Sequence, residues 1–276
     1  WLGSNLYTSS PVLDGEKYAH LLQQVVSNPE HARKLVQRYH RYGYDLIKAY
    51  GYLDADVFTA IKDEANKLNM PIAKHGPNAI AGLELASNQG LQSLEHVEDI
   101  FQGPLNFEFN EAHLTEWIQS IKRIQPYITP TLATFNHLTL LSRDKSQFVE
   151  QQALHTLNPV YRWLLHEFSV KRWLQADQRQ VAWNIEEQGY LFQITKALAD
   201  ADIQLLVGSD AGTMFMTPGI STHREIALMA EAGVEPVKVI QAATINAARA
   251  MGIAGQTGSI TEGKVADLIL TEQNPF

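Results

Sequence analysis

The sequence contains no cysteine. That excludes a disulfide scaffold and a thiolate nucleophile, and any zinc site must be built from nitrogen and oxygen ligands. Basic residues are in deficit: 22 Lys and Arg stand against 30 Asp and Glu, a formal net charge of −8. This balance argues against a phosphate-backbone partner, and so against nucleic acid. No apolar run approaches the roughly 18–20 residues needed to cross a bilayer. The Gly-Lys pair at 263–264 is not a P-loop, because the upstream glycine and the following Ser or Thr are missing. What is present is ordinary for a folded chain: 45% hydrophobic and 19% charged residues. A length of 276 residues is enough for one large α/β domain with a substantial core.

One pattern recurs. DLIKAY (45–50) is a short apolar strand carrying Lys48, PIAKHG (71–76) carries His75, and SLEHV (93–97) carries His96. QLLVGSD (204–210) repeats it and ends on Asp210. Helical segments separate the strands, as between Asp54 and Leu68, where Val57, Ile61, Ala65 and Leu68 mark an apolar face. Strands alternating with helices at intervals of about 20–30 residues predict a parallel sheet of βα units. Polar residues at the C-terminal ends of such strands converge on one face, where α/β barrels build their active sites.

Imidazole and carboxylate suit Zn²⁺ or a similar divalent ion. Lysine is the unusual member, since an ammonium has no lone pair to give a metal. It fits as a salt-bridge partner, as a Schiff base, or after carboxylation to a carbamate.

With these residues in place, the chain resembles the metal-dependent amidohydrolases, in particular the branch of imidazolonepropionase-like enzymes and Xaa-Pro or Xaa-Arg dipeptidases. Lys48 in DLIKAY looks like the family's carboxylated, metal-bridging lysine. His75 in KHGP and His96 in LEHVE match its histidines on strands five and six, and Asp210 in GSDAG matches its strand-eight aspartate. The resemblance implies an α/β fold of the (β/α)8 TIM-barrel type and one or two divalent ions, most simply Zn²⁺. It also implies hydrolysis of an amide bond in a cyclic or dipeptide-like small molecule by metal-activated water, with Asp210 as general base. The family's first strand carries a His-x-His pair, and no such pair occurs in these 276 residues. Matched to the family, WLGSNLYT lies near the third barrel strand. The expectation is therefore that the first strands lie upstream of Trp1 as a missing N-terminal barrel segment.

The rest of the chain fits around this frame. Residues 1–15 read as loop, and helices are expected from about Glu16 to Tyr42, broken at Asn28-Pro29. YITPTL (127–132) reads as a seventh strand. Tyr50 just beyond Lys48, and His137 just beyond YITPTL, are the expected substrate contacts. Residues 133–202 form a helical insertion too long for a simple connection. Its tryptophans read as packing anchors, and its role as a lid or a contact between copies in a homo-oligomer. The expected organisation is a barrel over 1–255 and, over 256–276, the start of a small β-sandwich similar to the family's closing segment. Two rival functions stand beside hydrolysis: a non-catalytic scaffold that binds a ligand or partner, and an aldolase-like barrel using Lys48 as a Schiff base.

Overall fold

The computed structural model describes residues 6–16, 23–75 and 91–275. They fall into two compact units, residues 1–128 and 129–276. The expected division at 255/256 lies inside the second.

The first unit is built on β1 (Val12–Asp14), β2 (Gln23–Val25), β3 (Ile47–Ala49), β4 (Ile72–His75) and β5 (Ser93–Glu95), with β6 (Tyr127–Thr129) at its end. The sheet order is β2-β1-β3-β4-β5-β6, and the registered pairs from β2 to β5 are parallel. This is the α/β class expected from the alternation of strands and helices. Apolar residues of successive strands, Leu13, Ile47, Ile72, Leu94 and Ile128, are all buried. The start of the chain differs from expectation. Strand β1 forms where a loop is expected, and β2 forms inside the expected first helix, whose residues 17–22 lie outside the described residues. Asp14 explains part of this: its Oδ1 accepts the Gly15 and Tyr52 amides at 2.9 and 3.0 Å, strapping the end of β1 to the end of β3.

The helices of this unit follow their sequence signals. Helix α1 (Pro29–Tyr42) begins with Asn28 accepting the His31 amide at 2.9 Å and Pro29 in the first turn, a strong start signal. It ends at Gly43 with φ +80°, a conformation that glycine adopts without a Cβ clash. Helix α2 (Ala55–Lys67) buries Val57, Phe58, Ile61 and Ala65. It is tied to α1 by Arg33–Asp63 at 3.1 Å and Gln37–Glu64 at 2.7 Å. Helices α3 (Val97–Gln102) and α4 (Glu111–Ile121) follow β5, and α4 buries Leu114, Trp117, Ile118 and Ile121.

The second unit is helical. It holds α5 (Leu132–Glu150), α6 (Pro159–Leu165), a π-helical turn at His166–Val170, α7 (Lys171–Leu174), α8 (Gln178–Asp200), α9 (Ile220–Glu231), α10 (Pro236–Ala243) and α11 (Ile245–Ala250). Its core includes Leu132, Leu141, Leu191, Ile194, Leu198, Leu228 and Met229. Two expectations are corrected here. QLLVGSD forms no strand beyond a single bridge residue, Leu205; its backbone is also held by Val207 N–H to the Ala242 carbonyl at 3.3 Å and by the Asn246 side chain on the Leu205 carbonyl at 3.1 Å. Trp163 is 60% exposed on α6 and anchors no core. Residues 256–275 form turns and irregular chain, with Ile260, Ile269 and Leu270 exposed.

Candidate active site

The strand register decides which side chains meet. Lys48 is opposite Ala73, Ala73 opposite Ser93, and His75 opposite Glu95. Partners in register share a face and side chains alternate along each strand. Lys48 and His75 therefore stand on one face of the sheet, while Lys74 and Leu94 stand on the other. Lys74 is fully buried there, with its Nζ 5.9 Å from the centre of the Phe58 ring. Burial lowers its pKa to about 7, against the opposing pull of Asp99. Two adjacent residues, Lys74 and His75, thus have opposite fates because of the period-two pleat.

Alternation alone would send His96 to the Lys74 face. It lies one residue past β5 and takes φ +69°, uncommon for a residue with a side chain. That break lets its ring turn back to His75: the two imidazoles meet edge to face, 4.7 Å between centroids and 70° between planes. Strained backbone of this kind persists where the surroundings over-determine it, often at functional sites. Tyr50 closes the other side of His75, its ring stacked on the imidazole at 4.2 Å and 7°. Lys48 is half-buried, and its amide donates to Ser10 Oγ at 3.2 Å.

Both histidines are kept uncharged. Burial, then the positive charges of Lys48 and Lys74, lowers the His75 pKa to about 3. Burial, His75 and Lys48 take His96 well below its ordinary value. A neutral imidazole is the form that ligates a metal.

Asp99 is the residue that sequence reasoning missed. Buried in the first turn of α3, it places Oδ2 3.2 Å from His75 Nδ1. The pair is close enough for attraction but poorly aligned, and His75 Nδ1 makes no hydrogen bond. The available signal was spacing. Asp99 lies three residues after His96, one helical turn on, and its amide donates to the His96 carbonyl at 3.1 Å. One turn of α3 therefore bonds the His96 backbone and brings a carboxylate beside His75. Nearby, Glu95 accepts from Ser93 Oγ at 2.5 Å and Glu98 from Gln102 at 2.6 Å.

Asp210 and His137 belong to the second unit. Asp210 is exposed, at φ +52°, in a turn where Gly212, Met214 and Phe215 also have positive φ. The turn is held from α5: Thr134 Oγ1 donates to the Ser209 carbonyl at 3.0 Å. His137, on α5, is buried against Phe148 at 4.7 Å, and its Nε2 has no hydrogen-bond partner. Burial lowers its pKa to about 4, with a hydrogen bond to the Met214 backbone working the other way. Glu225 on α9 does what no capping side chain of α5 does. Its carboxylate accepts the Ala133 amide at 2.6 Å, together with those of Leu132 and Thr131, at the start of that helix.

Parallel strands alternating with helices, with Lys48, His75 and His96 at the ends of three successive strands, define an α/β protein. The chain belongs to the amidohydrolase family, whose model matches residues 48–275. Bottromycin amidohydrolase is 26% identical, with a TM-score of 0.68 over 88% of this chain and 54% of its own. A Xaa-Pro dipeptidase solved with methionine in its active site is 19% identical, with a TM-score of 0.59 over 91% of this chain and 54% of its own. At that identity the likeness concerns the fold alone. Adenine deaminase 1 from Desulfotalea psychrophila is 52% identical over 42 residues, which are 15% of this chain and 7% of that protein. The chain spans about half the length of the two solved structures. Among the described residues, no helix is long and apolar enough to cross a membrane.

Members of this family generally use divalent metal ions. His75 and His96 fit such a group, since two imidazoles lie 4.7 Å apart between centroids and each neutral ring has one unprotonated nitrogen. Among the described residues, no cluster of three His, Asp or Glu side chains forms. The histidine pair, with Lys48 at the end of the neighbouring strand, is what the described residues bring together.

Proposed function

We propose that the protein hydrolyses an amide bond, linear or cyclic, in a small dipeptide-like molecule, using one or two divalent ions, with Zn²⁺ the simplest choice. The observation that carries this is the edge-to-face pair of uncharged imidazoles, His75 and His96, at 4.7 Å. They, with Lys48 and Asp210, would hold the metal. A bound divalent ion supplies Lewis acidity and a water nucleophile at neutral pH. An ammonium on Lys48 would repel such an ion, whereas its carbamate would offer two anionic oxygens, which supports carboxylation of this residue. Asp99 orients the His75 ring from Nδ1, a role such carboxylates commonly take. Tyr50 limits the tilt of the same ring and borders the space where an acyl group would lie. His137 is the second proposed substrate contact, supported by its unpartnered buried nitrogen.

Asp210 enters through its motif, GSDAG. Its carboxylate takes the proton from the attacking water and passes it to the leaving amine. The test is Asp210→Asn in the full-length protein, assayed with Zn²⁺ on a panel of Xaa-Pro dipeptides and N-acyl amino acids. Turnover should fall by about 10²–10⁴-fold while bound metal is largely kept. Near-normal turnover in the folded, metal-loaded variant would remove Asp210 as the base. A metal-loaded wild-type protein that turns over no member of the panel would favour the ligand-binding scaffold instead.

A further inference from the structure

The segment around Asp210, residues 209–216, is tethered at three points, all of them from helices within 133–202. Thr134 of α5 holds the Ser209 carbonyl, and His137 of α5 bonds the Met214 backbone. The third tether is Tyr161, on α6, whose hydroxyl donates to the Gly212 carbonyl at 2.6 Å across 51 residues of sequence. A Cβ on Gly212 would lie 3.3 Å from that hydroxyl, and Gly212 has φ +99°. Glycine therefore serves both the backbone conformation and the close approach.

The arm carrying Tyr161 is built to project. Asn158 caps α6 by accepting the Val160 and Tyr161 amides, and Pro159 occupies its first turn. The π-helical turn at His166–Val170 follows directly; such turns are rare and occur often at functional sites. At the base, Lys145 Nζ donates to the Trp173 and Ala176 carbonyls at 3.2 and 2.7 Å, pinning the end of α7 to α5. Between base and tip, Val160, Trp163 and Phe168 are exposed. The arm is thus fixed at its root, and its Tyr161 hydroxyl reaches the Asp210 turn.

We propose that Tyr161 is a positioning residue for Asp210: its hydroxyl holds the Gly212 carbonyl and so keeps the 210–216 turn in the strained form that presents the carboxylate. Sequence variation in the insertion would then act on turnover through this contact. The proposal rests on Asp210 being the catalytic base.

The test is Tyr161→Phe in the full-length, Zn²⁺-loaded protein, which removes the hydroxyl and keeps the ring. Within the turn, the Gly212 amide donates to the Met216 carbonyl and the Met216 amide to that of Thr213, at 3.0 and 2.8 Å. Their hydrogen exchange therefore reports opening of the turn. Exchange at these two amides should rise roughly threefold to tenfold, the equilibrium worth of one hydrogen bond, with exchange in α8 unchanged. On the fastest Xaa-Pro dipeptide of the panel, kcat should fall with KM held. Unchanged exchange at Gly212 and Met216 would overturn the tether. Raised exchange with unchanged kcat, in a protein that Asp210→Asn inactivates, would overturn the positioning role. If Asp210→Asn also keeps its turnover, the base assignment itself has failed and the positioning role falls with it, whatever the exchange shows.

Discussion

Replacing Glu225 by glutamine offers a quantitative test of the packing beneath the Asp210 turn. The carboxyl is fully buried, and burial raises its pKa from 4.5 to about 7, against the pull of three backbone amides at the start of α5. Its Oε1 has no hydrogen-bond partner. Between pH 4.5 and 7 the folded protein therefore binds more protons at this site than the unfolded chain does. Stability is fully present below pH 4.5 and is lost as pH rises through about 7. At 1.36 kcal/mol per pH unit, a gap from 4.5 to about 7 gives a loss of about 3 kcal/mol. Glutamine keeps an oxygen for the amides and cannot ionise, so Glu225→Gln should lack that loss. Urea unfolding of both proteins at pH 5, 6, 7 and 8 measures it: the variant should gain on wild type by about 2.5 kcal/mol from pH 5 to 8. A stability difference that stays constant from pH 5 to 8 would refute the reasoning.

Other expectations follow from the histidines. Asp99→Asn removes the charge beside His75 Nδ1 and should weaken metal affinity by about 10–100-fold, read by competition with a chromophoric chelator; unchanged affinity would remove Asp99 from the site. His137→Leu should leave metal content intact and alter substrate kinetics. Because the folded pKa of His137 is depressed to about 4, its neutral form contributes stability above pH 6.5 that is lost as pH falls toward 4. The leucine variant should show a shallower acid-side loss, and an identical acid profile would contradict the burial of this ring.

Strands β3, β4 and β5 were legible in the sequence because each is an apolar run followed by a polar residue, and Lys48, His75 and His96 fall at the ends of these strands. Helix α2 was legible through the apolar spacing of Val57, Ile61 and Ala65. What was not legible depends on contacts distant in sequence or on single backbone angles. Strand β1 sits among Ser9, Ser10, Pro11 and Gly15, which signal a loop, and β2 lies in a stretch that reads as helix. The return of His96 toward His75 depends on one positive φ. Glu225 binds the start of α5 across 92 residues, and no local pattern announces it. QLLVGSD has the composition of a buried strand, yet only Leu205 is a bridge residue, and its backbone is also held by the end of α10 and the Asn246 side chain.

The central claim is that His75 and His96 together bind a catalytic divalent ion. Elemental analysis of the purified full-length protein, wild type beside His75→Ala and His96→Ala, tests it most directly. Wild type should carry at least one divalent ion per chain, and each variant should lose bound metal together with amide hydrolysis, since each removes a ligand nitrogen. A His96→Ala protein that keeps its full metal content and its activity would contradict the account.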